Sequence, residues 1–359
     1  VQYFIATSST TGILRRLAYL SFSVIIAAAS LGGCTTTPSA AGAEEGEAAV
    51  RELPQLTAVQ ELRNAMARTE SAITERTGQL AYLATECDDC QETLIASASS
   101  SEARLSSLGG LWFPWGEFEV REDADEFVEL PPQVSDAPYT VAPLSAFMAV
   151  TARQELELAA RITDVEPEER QALASLLFGR LTSAWSLASW YGVDLPAAIE
   201  NLPPEATSSA VPSGPAAGTK PSQSGGLETP AAKVRADALV GYDCARTALL
   251  NQTNDGLTQA QSLKIASDLG DRMKRILEND VIDGRALVCT VSDRALTSAL
   301  HTLVLADLNL ITSPELPDRE LAAKYLVEDA QLWAQVSPIS VPLVSMLSLE
   351  KENDEPQSE

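Results

Sequence analysis

Between Val59 and Leu94 the residues Val59, Leu62, Met66, Thr69, Ile73, Arg76, Leu80, Leu83, Cys87, Cys90 and Leu94 recur at alternating spacings of three and four. Among them only Thr69 and Arg76 are neither apolar nor cysteine. That period lines one face of an α-helix and is incompatible with the two-residue alternation of a half-buried strand. Pro54 suits the first turn of such a helix. If the helix runs on through the serine-rich stretch to Leu108, about 50 residues at 1.5 Å rise make a rod of about 75 Å, which Gly109-Gly110 then stops. A rod of this kind is either a coiled-coil stalk or the long helix of an intramolecular bundle. The apolar faces of later helices favour the bundle.

Past the glycine pair the pattern changes. Glu117-Phe118-Glu119-Val120-Arg121 alternates polar and apolar, as does part of Phe127-Val128-Glu129-Leu130, around the acidic run Glu122-Asp123-Ala124-Asp125-Glu126. This predicts a small β-hairpin inside 111–143. Helical periodicity returns from Leu144 to Ile162, and again from Pro167 through an acidic first turn to Tyr191-Gly192. Pro203-Pro204 opens a Pro/Ser/Gly-rich stretch that lasts to Pro230 and lacks the apolar surface to offset its ordering entropy. Further helices are expected over Ala231 to Leu250, Gly256 to Asn279, Gly284 to Leu310 and Pro317 to Val336, joined by connections short enough to make neighbours antiparallel.

The expected fold class is therefore all-α: helical bundles with a long N-terminal helix, a small β-hairpin insertion and a disordered linker. The expected segments are 1–33, 34–53 as a flexible tether, 54–202 as a helical region with the hairpin near 111–143, 203–230 as linker, 231–337 as a second helical region and 338–359 as a solvated tail. With 359 residues, two modest domains are expected, each able to bury a core.

Arg15 and Arg16 precede a run from Leu17 to Ser30 that carries no charge. At about 14 residues it is short for a bilayer span, which needs about 20, and has the proportions of a signal-peptide core. It ends in Leu31-Gly32-Gly33-Cys34, which resembles the lipobox of bacterial lipoproteins: an apolar residue, two small ones and the cysteine that receives lipid. The resemblance covers the leader alone; the mature body resembles no family. It implies signal-peptidase recognition of Leu31, Gly32 and Gly33, a diacylglycerol on the Cys34 thiol and an acyl chain such as palmitate on the freed amine. Two such chains make anchoring stable. Thr35 after the cysteine, in place of Asp, implies by the same resemblance sorting to the outer membrane, on its periplasmic side. Arg15-Arg16-Leu17-Ala18 shares only its arginine pair with twin-arginine export signals.

The chain has 25 basic and 50 acidic side chains, a formal net charge of -25. That balance argues against nucleic acid as a partner, and anionic headgroups would repel the surface, so membrane contact is expected to rest on the covalent anchor. Four cysteines remain beyond Cys34. Cys244 with Cys289 and Cys87 with Cys90 is one pairing; a pairing across the linker is the alternative, because a local Cys87–Cys90 bridge inside a regular helix would be strained. A thioredoxin-like redox role for Cys87-Asp88-Asp89-Cys90 is disfavoured by the flanking carboxylates, which destabilise a thiolate. A four-cysteine zinc site has the wrong spacing.

His301 is the single histidine and sits in helical context as a packed or boundary residue. Asp123 and Asp125 begin like a calcium loop, but Phe127 occupies an oxygen-ligand position. No phosphate-binding glycine loop is present. No catalytic residue, metal site or cofactor is nominated. Trp112, Phe113, Trp115 and Phe118 form a possible interaction patch, expected to fold back as a cap on the bundle, with Trp185, Trp190 and Tyr191 as core or helix-end packing. The functional expectation is a noncatalytic scaffold of an envelope assembly with a protein partner and an open oligomeric state. The alternatives are an envelope enzyme acting on peptidoglycan or another periplasmic substrate, and a CxxC redox protein.

Overall fold

The computed structural model describes residues 56–84, 88–112, 136–203, 229–251, 257–278 and 296–336, together with Val281, Asp283, Arg285 and Cys289. The leader with Leu31, Gly32, Gly33 and Cys34, the tether, Cys87, the expected hairpin, Phe113, Trp115, Phe118, residues 204–228 and the tail lie outside the described residues. Among the described residues every regular element is helical: α1 (Ala58–Leu83), α2 (Asp88–Ser107), α3 (Val141–Arg161), α4 (Pro167–Trp190), α5 (Leu195–Glu200), α6 (Pro230–Asn251), α7 (Gln259–Leu277), α8 (Leu296–Leu310) and α9 (Leu316–Val336). No described helix is long and apolar enough to cross a membrane.

The 75 Å rod is not formed. The Thr57 side chain accepts from the Gln60 N–H at 3.4 Å and the Gln60 side chain accepts from the Thr57 N–H at 2.9 Å, a capping box that starts α1. The helix ends at Leu83, where Ala84 turns to extended backbone, and α2 returns antiparallel. Gln91 Nε2 donates to the Ala81 carbonyl at 3.1 Å near the turn, and Arg63 Nη2 donates to the Leu108 carbonyl at 3.5 Å at the open end. Both helices keep apolar faces toward the same core, Leu62, Met66 and Ile73 from α1 and Leu94 from α2, while the seam residue Leu83 at the reversal is exposed. The serines that weaken a solvent-exposed rod are here buried spacers: Ser97, Ser100 and Ser101 lie in the interior. Gly109 and Gly110 do stop α2, with φ 93° and 81°, a left-handed geometry that glycine adopts without penalty.

α3 and α4 pack on this hairpin. Pro167 occupies the first turn of α4, with Glu168 and Glu169 beside it, and Gly192 at φ 61° follows its end, matching the expected start and stop. The C-terminal carbonyls of α3 are closed by arginines: Arg170 donates to the Ala159 and Ile162 carbonyls at 3.2 and 2.8 Å, and Arg319 donates to the Ala160 carbonyl at 2.6 Å. Burial and the nearby Arg319 lower Arg170 to about 10. The short α5, absent from the sequence reading, is capped by the Asp194 carboxylate, which accepts from the Ala197 N–H at 3.3 Å.

α6, α7, α8 and α9 form the second group. Thr258 and Gln261 repeat the capping box at the start of α7, and α6 approaches α8 closely: a Cβ on Gly241 would lie 2.7 Å from that of Ala306. The helix expected from Gly284 is described only from Leu296; Asp283, Arg285 and Cys289 are non-helical. Helix α9 packs on α8 and also on α3 and α4, with Trp333 edge-on to Phe178 at 6.4 Å between centroids. The described residues all fall in one compact unit, and a single apolar core runs from Leu62 through Phe147, Leu177 and Tyr242 to Leu326. The two helical regions read from the sequence are thus joined through α9.

Candidate interaction surface and buried charge networks

Each group of four helices buries a polar quartet, one residue from each helix. In the first, Glu70 of α1, Arg104 of α2, Glu155 of α3 and Arg180 of α4 are all essentially inaccessible. Arg180 Nε and Arg104 Nε both donate to Glu70 Oε1, at 2.7 and 3.0 Å, and Arg180 Nη1 donates to Glu155 Oε2 at 2.5 Å. Thr69, Ser101 and Ser183 add hydroxyl bonds at 3.2, 2.8 and 3.3 Å, leaving Glu70 Oε2 without a hydrogen bond. Burial pushes both carboxyls up. For Glu70 the two guanidiniums outweigh burial and hold it below the ordinary range; for Glu155, which pairs with Arg180 alone, burial prevails and the carboxyl is raised.

In the second quartet Arg272 of α7 forks onto Asp329 of α9, with both nitrogen–oxygen distances 2.8 Å. Asp307 of α8 accepts from the Tyr242 hydroxyl of α6 at 2.5 Å and lies 3.4 Å from Arg272 Nη1. The Arg272 guanidinium also stacks 4.0 Å over the Tyr325 ring. Burial, followed by the Asp329 charge, drives Asp307 well above its ordinary value, and burial with the neighbouring Asp307 raises Tyr242 likewise. Paired ions this deep cost desolvation, so they stabilise weakly but penalise any register that separates them.

The cysteines resolve in part. Cys244 and Cys289 are disulfide-bonded, Cα atoms 5.1 Å apart. Cys90 is disulfide-bonded as well, and its carbonyl accepts from the Tyr191 hydroxyl at 3.2 Å. No cluster of metal-ligating side chains occurs among the described residues. Of the expected aromatic patch, Trp112 lies among the described residues. It keeps 43% exposure and lines, with Leu111, Gln60, Arg63 and Leu108, a groove of about 320 Å³ at the start of α1.

The opposite end carries a surface that the sequence reading missed. There the end of α1, the start of α2, the start of α3 and the end of α4 converge: Arg76 stacks 3.3 Å over Tyr139, and Tyr191 bonds Cys90. Tyr82, Leu83 and Tyr139 are 85%, 70% and 69% exposed, with Trp190 and Ile95 exposed beside them. Trp190, at the end of α4, keeps 44% exposure. A groove of about 390 Å³ between α3 and α5 is lined by Ala142, Pro143, Val193, Asp194, Ala197, Ala198, Asn201 and Leu202. Its signal was present in Tyr82-Leu83 at a helix terminus, but the rod reading placed both inside a helix.

Comparison of the chain with protein-family models, with curated proteins and with solved structures finds no match.

Proposed function

We propose that this chain is a noncatalytic lipoprotein, anchored through acyl chains on Cys34 to the periplasmic face of an outer membrane, where its helical body serves as a scaffold for a protein partner. The observation that carries the reading is the order Arg15-Arg16, uncharged core, Leu31-Gly32-Gly33-Cys34. The order is that of lipoprotein leaders, in which charge, apolar core and small residues before a cysteine occur in sequence. Two features of the folded part support it. The Cys244–Cys289 bridge suits an oxidising compartment. The stretch between Cys34 and the capping residue Thr57, at no more than about 3.5 Å per residue, allows the body to stand up to about 80 Å from its attachment point.

The test is replacement of Cys34 by Ser in the native host. The protein should move from the membrane to the soluble envelope fraction, and mass spectrometry of the parent should find the N-terminal cysteine acylated. Stable membrane association of Cys34→Ser, or an unmodified Cys34 in the parent, overturns the anchor.

A further inference from the structure

Nine large apolar side chains are exposed among the described residues, and they are not spread evenly. Tyr82, Leu83, Tyr139 and Trp190, with Ile95 two turns along α2, gather at the end of the first helix group where α1 finishes. That end stands about 39 Å from the N-terminus of α1, given 26 residues at 1.5 Å rise. A soluble surface seldom concentrates large apolar groups without using them. These are held in place: Tyr139 lies under the buried Arg76 guanidinium, and the Tyr191 hydroxyl ties the end of α4 to α2. Beside them the groove between α3 and α5 offers an apolar floor of Ala142, Pro143, Ala197, Ala198 and Leu202, with room for one or two partner side chains.

Among the described residues the charge around this pole has one sign. Glu75, Glu92, Asp136, Asp194 and Glu200 are exposed there, and within 75–100, 136–145 and 186–203 the single basic residue is Arg76, which is buried. We infer that the pole formed by the ends of α1 and α4 and the starts of α2 and α3 docks a basic amphipathic helix of a partner protein. Its apolar side chains fill the α3–α5 groove and cover Tyr82, Leu83 and Trp190; its Lys and Arg side chains face the acidic rim. An aromatic, apolar centre ringed by charge is the anatomy of a binding hot spot, and amphipathic helices are read through apolar anchors at i, i+3, i+4 and i+7. An anionic membrane fits poorly, since the rim repels it. The inference rests on the scaffold reading only for the existence of a protein partner, and it does not require the anchor.

The experiment uses purified full-length chain carrying Cys34→Ser, titrated calorimetrically with an 18-residue Leu/Lys amphipathic helix and with the same peptide in which Glu replaces Lys. The basic peptide should bind at least tenfold more tightly. The double variant Leu83→Ser/Asp194→Lys should lose at least tenfold in affinity. Leu250→Ser/Leu263→Ser, which removes exposed apolar groups elsewhere, should lose none. Equal binding of both peptides, or equal binding by the pole variant, overturns the inference. So does a stable dimer that Leu83→Ser dissociates, which would assign the pole to a second copy, or pole-dependent binding to anionic phosphatidylglycerol vesicles. Unchanged thermal unfolding of each variant guards against loss of fold. Stable membrane association of Cys34→Ser in the fractionation test overturns the anchor and leaves the peptide result standing.

Discussion

The two halves of the core solve one packing problem with different charge arithmetic. In α1 to α4 the buried quartet sets two carboxylates, Glu70 and Glu155, against two guanidiniums, Arg104 and Arg180. In α6 to α9 a single guanidinium, Arg272, serves Asp307 and Asp329, and the fourth member is the neutral Tyr242. The first quartet is electrically closed. The second has one carboxyl more than guanidiniums, and burial with the Asp329 charge beside it favours the protonated form of Asp307.

Removing Arg180 should break the comparison most severely. Arg180→Met leaves Glu70 and Glu155 buried with Arg104 alone, and breaking a buried pair from one side costs about 3–5 kcal/mol. Urea unfolding should show a loss of that size, partly recovered in Arg180→Met/Glu155→Gln. A loss under 1 kcal/mol would mean that the first quartet is not closed as described.

The second group is also held by the Cys244–Cys289 bridge, which closes 45 residues. On loop entropy alone that bridge stabilises by about 4 kcal/mol, within the 2–4 kcal/mol common for such bonds. Cys244→Ala/Cys289→Ala should lower the unfolding midpoint accordingly, and hydrogen exchange should quicken in α6 and α8 more than in α1 and α2. Uniform quickening would remove the distinction between the halves.

The smallest expected effect tests the proton itself. Asp307 is raised when folded, so the native state binds more protons than the unfolded chain above pH 4. The contribution is fully present below the ordinary aspartate value and is lost as pH rises through the folded one, at about 1.4 kcal/mol per pH unit while the proton remains bound. Asp307→Asn keeps an acceptor for Tyr242 without the charge and should flatten that slope. In the first quartet Glu70 is lowered and Glu155 raised, so Glu70 adds stability that is lost as pH falls below the ordinary glutamate value while Glu155 acts above it, and Glu155→Gln should flatten only the part of the profile above that value. An unchanged profile in Asp307→Asn would place the proton elsewhere.

Much of this architecture was legible in advance. Pro167 and Gly192 mark the ends of α4 as read, Gly109-Gly110 stops α2, and α6 and α9 begin within a residue of their expected starts. What escaped follows from the information that periodicity carries. A three-four seam reports which face is buried but not whether the chain has turned back, so the α1–α2 hairpin read as one rod. The quartets hid because Glu70 neighbours the seam residue Thr69 and looks solvated, while Arg104 lies among serines. Asp307 did leave a mark, as the lone carboxylate in the apolar run Leu303-Val304-Leu305-Ala306-Asp307-Leu308. The exposed pole was invisible because exposure of Tyr82, Leu83 and Trp190 depends on where helices end, and boundaries are what pattern reading fixes least well.

The seating of α9 against α3 and α4 has a consequence in time. Synthesis delivers the chain from its N-terminus, so the carbonyls at the end of α3 and the face of Phe178 wait for Arg319 and Trp333, the former 159 residues downstream of Ala160. The first helix group can form early by local contacts, yet its core closes only when the last described helix arrives. Closure over so long a separation slows folding relative to the hairpins, and until it happens the inner faces of α3 and α4 are open to whatever chaperone or protease attends the emerging chain.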